Sequence, residues 1–395
     1  MTRAVGPRAW ILPAPTAFVL AWGGNHFTPL LHMYESLGGY VQWQANLLLG
    51  MYVFGLIPGL LVAAAFSDQH GRKTASWIGL ASAALASILL ACGLGSFALL
   101  CIGRVFAGLG VGVAMSVCSS WIKELSANAP SPTAGARRST MTLTLGFGLG
   151  AGITGVLAQY GPIPAQLPYL VHLALCVVAA IALIGAPESL ASADRASGPW
   201  WKDLKVPAAG HRTFLRVVLP AAPWVFAAAG VAYAIMPSVV EHRLGEHATL
   251  YATVLTVITL GVGAVLQTLV PWINRVTRGR ALIVGLSGMT LGMILAAVSA
   301  EIGDPALAFI VAAVLGASYG VCVVSGLVIA QSLAGPSDLA GITGVYYSLT
   351  YVGFLLPTVV AALLPVLSYV SSLIIIAVIC AACLALVMTG MRRRA

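Results

Sequence analysis

The chain has 395 residues, of which 59% are hydrophobic and only 8% charged, a composition that excludes a soluble globular domain. Its formal charge of +9 would suggest nucleic acid in a soluble protein, but the positions of the charges give it another meaning. The apolar runs are mostly about 20 residues or longer, enough to cross ~30 Å of hydrocarbon. A β-barrel would show short alternating segments in their place.

Twelve spans are predicted, at about 14–36, 42–65, 75–95, 97–120, 140–160, 167–187, 217–238, 249–272, 281–300, 305–332, 341–363 and 366–390. Arg3 and Arg8 stand before the first run as in a signal peptide. The run continues to about Tyr34 without a small-residue cleavage site, so a retained first helix is expected. The polar segments between spans alternate in basic content. One set holds Arg3, Arg8, Arg72, Lys73, Lys123, Arg137, Arg138, Arg195 through Arg216, Arg275, Arg278, Arg280 and Arg392–Arg394. That is eighteen of the twenty Lys and Arg residues, and the opposite set holds only Arg243. The positive-inside rule then puts both termini in the cytoplasm, which requires an even number of spans. The expectation is a multi-pass, all-α protein of the inner (plasma) membrane, monomeric, with the bilayer as its surroundings and no nucleic-acid partner.

An internal duplication organises the chain. The loop after span 2 reads Asp68-Gln69-His70-Gly71-Arg72-Lys73, and the loop after span 8 reads Asn274-Arg275-Val276-Thr277-Arg278-Gly279-Arg280. Gly71-Arg72 and Gly279-Arg280 correspond at an offset of 208 residues. The longest basic polar segment separates the halves. The expected organisation is a six-helix bundle over 1–187, a cytoplasmic linker over 188–216 and a second bundle over 217–395. Two parallel six-helix repeats are the plan of one large transporter class.

Arg104 is the one cation inside an apolar span. It lies about seven residues from the outer end of span 4, ~10 Å deep, where a charge costs at least ~2.5 kcal/mol. It therefore needs a partner or snorkels to the surface. No Asp or Glu sits deep in any span. Span 1 carries Trp22, Asn25, His26, Pro29 and Met33 at helical spacing on one face, with Asn25 and His26 ~14 Å below the outer surface. Arg104 is expected to meet Asn25, His26 and carbonyls of span 1.

His26 is the deepest group there that changes charge near neutral pH, which makes it a proton-coupling candidate beside the plainer reading of a hydrogen-bonded structural histidine. His172 and His32 rank below it. Glu35, the other acid in span 1, is a second candidate, against a solvated interfacial carboxylate. The C-terminal half offers aromatics: Tyr233, 208 residues after Asn25, with Tyr319, Tyr347 and Tyr351. Interfacial tyrosines are common, but Tyr233 and Tyr319 fall at membrane depth. A cavity lined by Trp22, Asn25, Tyr233, Tyr319 and Tyr347 would suit a neutral or weakly charged, partly apolar solute.

Other chemistry is thin. All seven cysteines lie in apolar spans and read as small hydrophobes, the Cys380-x-x-Cys383 pair included. No acidic cluster suggests a metal, no cofactor is implied, and no phosphate-binding glycine loop points to ATP. Asp68 sits at a helix end, where reach of the N-terminus of span 11 near Gly341 would stabilise its carboxylate by ~0.3–1 kcal/mol. Such a contact exists in one conformation only and so acts as a gate. The alternative is a solvated loop carboxylate, and the positive-inside rule is enough to account for Arg72 and Lys73. The glycines of spans 4 and 5, including Gly108 with Gly112 and Gly148 with Gly152, are expected to permit close helix packing.

These residues resemble the major facilitator superfamily over the whole length. Its loop signature between helices 2 and 3 appears as Ala64-Ala65-Phe66-Ser67-Asp68-Gln69-His70-Gly71-Arg72-Lys73, with Ala64 for the opening glycine and Gln69 for the first arginine. The helix-4 arginine with its glycine run appears as Arg104 through Gly108, Gly110 and Gly112. The helix-5 glycine motif of antiporters fits Gly148, Gly152 and Gly155, but Ile153 stands where proline is expected. Pro187-Glu188-Ser189 adds a weak match. The resemblance implies the twelve-helix fold of two pseudo-symmetric bundles, no enzymatic activity, alternating access, and gating by Asp68, Gly71, Arg72 and Lys73. Its drug-exporting branch implies proton-coupled efflux of small amphipathic solutes, with uptake or facilitated exchange of a small metabolite as the alternative.

Overall fold

The computed structural model describes residues 8–127, 129, 131, 133–190, 206–335 and 339–392. Arg3, Arg195, Lys202, Lys205, Arg393 and Arg394 of the charge pattern lie outside the described residues. All regular structure among the described residues is helical. A bilayer offers no water to satisfy backbone N–H and C=O groups, so an apolar run must bond within itself.

Eleven helices among the described residues are long and apolar enough to cross a membrane. They supply spans 2 to 12: Gln42–His70, Arg72–Cys92, Phe97–Glu124, Ala134–Tyr160, Leu167–Gly185, Phe214–Arg243, Gly245–Val276, Ala281–Ile302, Pro305–Gln331, Gly341–Leu363 and Tyr369–Arg392. Their outward faces carry exposed Ile181, Ile184, Val265 and Leu386, the surface that hydrocarbon covers.

Span 1 departs from the continuous helix expected over 14–36. It is helical over Ala14–Asn25, turns as a 3-10 segment over Thr28–Leu30 and resumes over Leu31–Gly38. Pro29 lacks an N–H for the ladder and its ring excludes the carbonyl one turn back. The predicted face of Trp22, Asn25, His26, Pro29 and Met33 is therefore split between two short helices. Of these residues only Asn25 keeps partial exposure.

Packing divides the chain into two compact units, Met1–Phe27 with Met51–Lys205, and Thr28–Gly50 with Val206–Ala395. In the first unit span 4 lies against span 2 through backbone contact. A Cβ on Gly108 would collide with the Tyr52 carbonyl, one on Gly55 with the Val105 carbonyl, and one on Gly112 would stand 2.6 Å from Gly59. The second unit repeats the arrangement between spans 8 and 10. There a Cβ on Gly316 would lie 2.5 Å from the Thr259 carbonyl oxygen, and Gly320 abuts the Gly263 carbonyl. Gly55, Gly108 and Gly112 correspond to Gly263, Gly316 and Gly320 at the same 208-residue offset as the basic loops. The duplication is thus built into a close helix crossing of each unit.

Span 5 corrects one expectation. Gly148 faces open space, with nothing within 4 Å of a Cβ placed there. The close face is two residues away on the same helix. A Cβ on Gly146 would lie 2.7 Å from the Ala21 Cβ and against the Phe18 carbonyl, and one on Gly150 2.7 Å from the Trp22 carbonyl oxygen. Successive residues turn by about 100° around a helix, so the motif glycine and the packing glycines point to different sides.

Candidate functional site

In the first unit, the loop after span 2 forms a network. Gly71 has φ +98°, a conformation strained for any side chain, and it precedes the first turn of span 3. Its equivalent Gly279 also has positive φ, +84°. The Arg72 guanidinium donates to Asp68, to Ser67 Oγ at 2.9 Å and to Glu124 at 2.9–3.3 Å. Glu188 accepts from the backbone N–H groups of Arg72 and Lys73, both at 3.0 Å, capping span 3 where its orphan donors and dipole favour an anion. The Lys73 ammonium donates to the Ile184 carbonyl at 2.7 Å. Ser189 donates to Glu124 at 2.5 Å, and the Trp121 indole donates to the Pro187 carbonyl at 3.1 Å.

Arg72 therefore does more than carry positive charge: it joins the ends of spans 2, 3 and 4, and Glu188 adds the end of span 6. Sequence reasoning gave Glu124 no role. The available signal was scarcity, because the chain has only eleven acids, and Glu124 closes span 4 on the side where Arg72 opens span 3.

Arg104 is fully buried, so its side chain does not snorkel. Its guanidinium carbon lies 4.3 Å from the Phe27 ring centroid and 5.0 Å from that of Tyr52. A cation over aromatic faces in a desolvated setting gains roughly 2 kcal/mol, against the several kcal/mol of burying it. Phe27 ends the first-unit part of span 1, so Arg104 does reach that span, through a ring that sequence reasoning did not single out.

His26 is also fully buried. Its ring meets Tyr169 and His172 edge-on, with centroids 5.0 and 4.8 Å apart. The His172 ring is spoken for: Nε2 donates to the Val19 carbonyl at 2.9 Å and Nδ1 accepts from Ser87 Oγ at 2.6 Å. Neither ring nitrogen of His26 has a hydrogen-bond partner among the described residues. A buried polar group in that state requires an explanation in structure or function. Trp22 packs edge-on with Phe18, centroids 5.8 Å apart.

In the second unit three of the four predicted tyrosines, Tyr233, Tyr319 and Tyr351, gather around two phenylalanines. Phe226 stacks on Tyr351 at 4.2 Å and on Phe354 at 4.7 Å, and Tyr319 lies 5.6 Å from Phe226. Tyr233 is 6.4 Å from Phe354 and sits in a π-helical turn, Val231–Ile235, a distortion frequent at functional sites. The Tyr319 hydroxyl bonds the Gln267 side chain. Tyr347 stands apart from the phenylalanines in its ring contact, lying 5.6 Å from Tyr346. Phe226 was missed, although it precedes Tyr233 by seven residues, two helical turns along one face. Glu35 lies partly buried beside His32 and Glu241 in this unit.

Two helical units of apolar spans, one of them enclosing a fully buried arginine and histidine, define a multi-span membrane protein. The profile of the Major Facilitator Superfamily matches residues 14–356. The chain belongs to this superfamily; it is a membrane transporter and not an enzyme. Similar solved structures include the nucleoside transporter NupG, with a TM-score of 0.74 and 13% identity, covering 97% of this chain and 99% of that one. A D-xylose-proton symporter gives 0.68 and 16%, covering 97% and 95%. The peptide transporter POT in complex with sulfate gives 0.77 and 13%, covering 98% and 94%. At these identities the likeness establishes the fold alone. No curated protein sequence matches the chain.

Proposed function

We propose that this transporter exports a small, neutral or weakly charged amphipathic solute by alternating access, in exchange for protons. The observation that carries the proton half is His26, a fully buried imidazole whose two nitrogens have no partner among the described residues. A neutral ring in that setting accepts a proton only when water or solute enters, which ties its charge to the transport cycle. The solute half rests on chemistry. Trp22, Asn25, His26 and Arg104 in the first unit, with Tyr233, Tyr319, Tyr347 and Tyr351 in the second, offer apolar rings and a few hydrogen-bonding groups, and no deep carboxylate to attract a cation.

Uptake or facilitated exchange is the second reading, favoured by Ile153 in place of the antiporter proline. The fold is shared with a proton symporter for D-xylose as well.

Flux into proteoliposomes under pH gradients of either sign, over a panel of solutes, separates the two. Export coupled to protons requires accumulation only when the proton gradient opposes solute movement. His26→Gln keeps hydrogen bonding and removes titration, so it retains counterflow exchange and loses gradient-driven accumulation. Solute binding to it also loses the pH dependence that a titrating His26 gives the wild type. Uphill transport by His26→Gln at the wild-type rate removes the residue from coupling, and Glu35 becomes the group to test.

A further inference from the structure

The transport reading gives His32 and Glu241 no role and keeps Glu35 only as a second coupling candidate. His32 and Glu35 occupy positions i and i+3 of the short helix Leu31–Gly38, so they share a face. Glu241, near the end of span 7, meets that face within the same packed unit. One ligating atom from each of the three lies within 4.8 Å of the other two.

Three features set this cluster apart from a solvated ion pair. His32 Nδ1 pairs with Glu241 Oε1 at 2.9 Å, which brings an imidazole and a carboxylate, both common metal ligands, into direct contact. Ligands of a tetrahedral zinc at 2.0–2.1 Å stand roughly 3.3 Å apart, so this pair is already near ligation spacing. Glu35 closes the remaining gap by rotation of its flexible side chain, which keeps partial exposure.

The second feature is charge. A divalent ion bound by neutral His32 and both carboxylates leaves the site neutral. The third is the surroundings. His32 and Glu241 line a small cavity with Leu31, Tyr233, Pro237 and Ser238. Polar outer groups of this kind orient first ligands.

We propose that His32, Glu35 and Glu241 form a binding site for a divalent transition metal of the zinc class. One imidazole and two carboxylates suit zinc, cobalt or manganese better than calcium or magnesium, which take oxygen ligands alone. Three protein ligands leave a fourth position for water, so the ion exchanges. The site clasps the Leu31–Gly38 helix to span 7. Span 1 passes from the first packed unit to the second at Phe27 and Thr28, so the ion pins the far half of that span. Bound metal therefore inhibits transport. The site itself does not depend on proton coupling or on the solute.

The test uses the purified, full-length protein in detergent with Zn2+ and Co2+ as probes. Saturable binding of one ion per chain is expected, with affinity falling at least tenfold in His32→Ala and in Glu241→Gln. His242→Ala with His247→Ala, which removes the two exposed imidazoles nearby in sequence, leaves binding unchanged. His32→Cys keeps a ligand and adds a sulfur-to-cobalt charge-transfer band in the near ultraviolet, a positive signal that misfolded protein does not give. In proteoliposomes Zn2+ slows counterflow of the wild type and not of Glu241→Gln. Absence of saturable binding, equal affinity in the His32→Ala Glu241→Gln double variant, or loss of binding on removing His242 and His247 each overturns the proposal. Failure of the proton-coupling reading shows only in the gradient experiment, and leaves these binding results untouched.

Discussion

Two glycines on one helix give the sharpest test of the packing. In span 5, a Cβ on Gly150 would lie 2.7 Å from the Trp22 carbonyl oxygen and 2.9 Å from the Trp22 Cα, whereas one on Gly148 meets nothing within 4 Å. Ordinary contact begins near 3.4 Å, so Gly150→Ala must part spans 1 and 5 by about 0.7 Å at Trp22. The opposing atoms are backbone and cannot rotate away. Overpacking of this kind costs ~1–3 kcal/mol. Alanine regains ~0.8–1.0 kcal/mol of helix propensity, but it does so at both positions, so the term cancels in the comparison. Gly150→Ala should then unfold below Gly148→Ala by about 2 kcal/mol, or roughly 4–8 °C for a unit of this size. The assay is thermal unfolding of the two variants in the same detergent. Counterflow should fall in Gly150→Ala, because the displaced backbone belongs to Trp22, four residues from His26. Equal melting temperatures with equal flux would refute the assignment of the close face.

Other outcomes follow from the charged groups. Asp68→Asn removes one acceptor of Arg72 while Glu124 and Ser67 hold the guanidinium, so expression and melting stay near wild type while transport drops and cysteine labelling at the two mouths shifts toward the inward-open form. Unchanged labelling with full activity would take Asp68 out of the gate. Arg104→Ala should abolish transport, and Arg104→Lys should not restore it, since a point ammonium lacks the planar face that stacks on Phe27 and Tyr52. Normal flux in the lysine variant would mean that charge alone matters.

Much of this protein was legible from residue order alone. Apolar run length fixes helix number and type, because the bilayer leaves a backbone no alternative to bonding within itself. The 208-residue offset was visible in Gly71-Arg72 and Gly279-Arg280, and the same arithmetic applied to Gly55, Gly108 and Gly112 would have found the close crossings in both units. Buried Arg104 and His26 announced themselves by cost, since a charge or imidazole at membrane depth is rare without a reason. Hydropathy did not register the break at Pro29, because a proline in an apolar run barely changes the mean.

What only tertiary structure decided is partnership. Arg72 to Glu124 spans 52 residues and Arg72 to Glu188 spans 116, and no local pattern encodes which distant carboxylate arrives. The same holds for Phe27 and Tyr52 around Arg104, for Phe226 at the centre of the tyrosines, and for Glu241 against His32. Periodicity states which residues share a helix face; which face meets which neighbour depends on how helices pack by the fit of small residues and carbonyls. Within span 5 that fit selected Gly146 and Gly150 and left Gly148 facing open space.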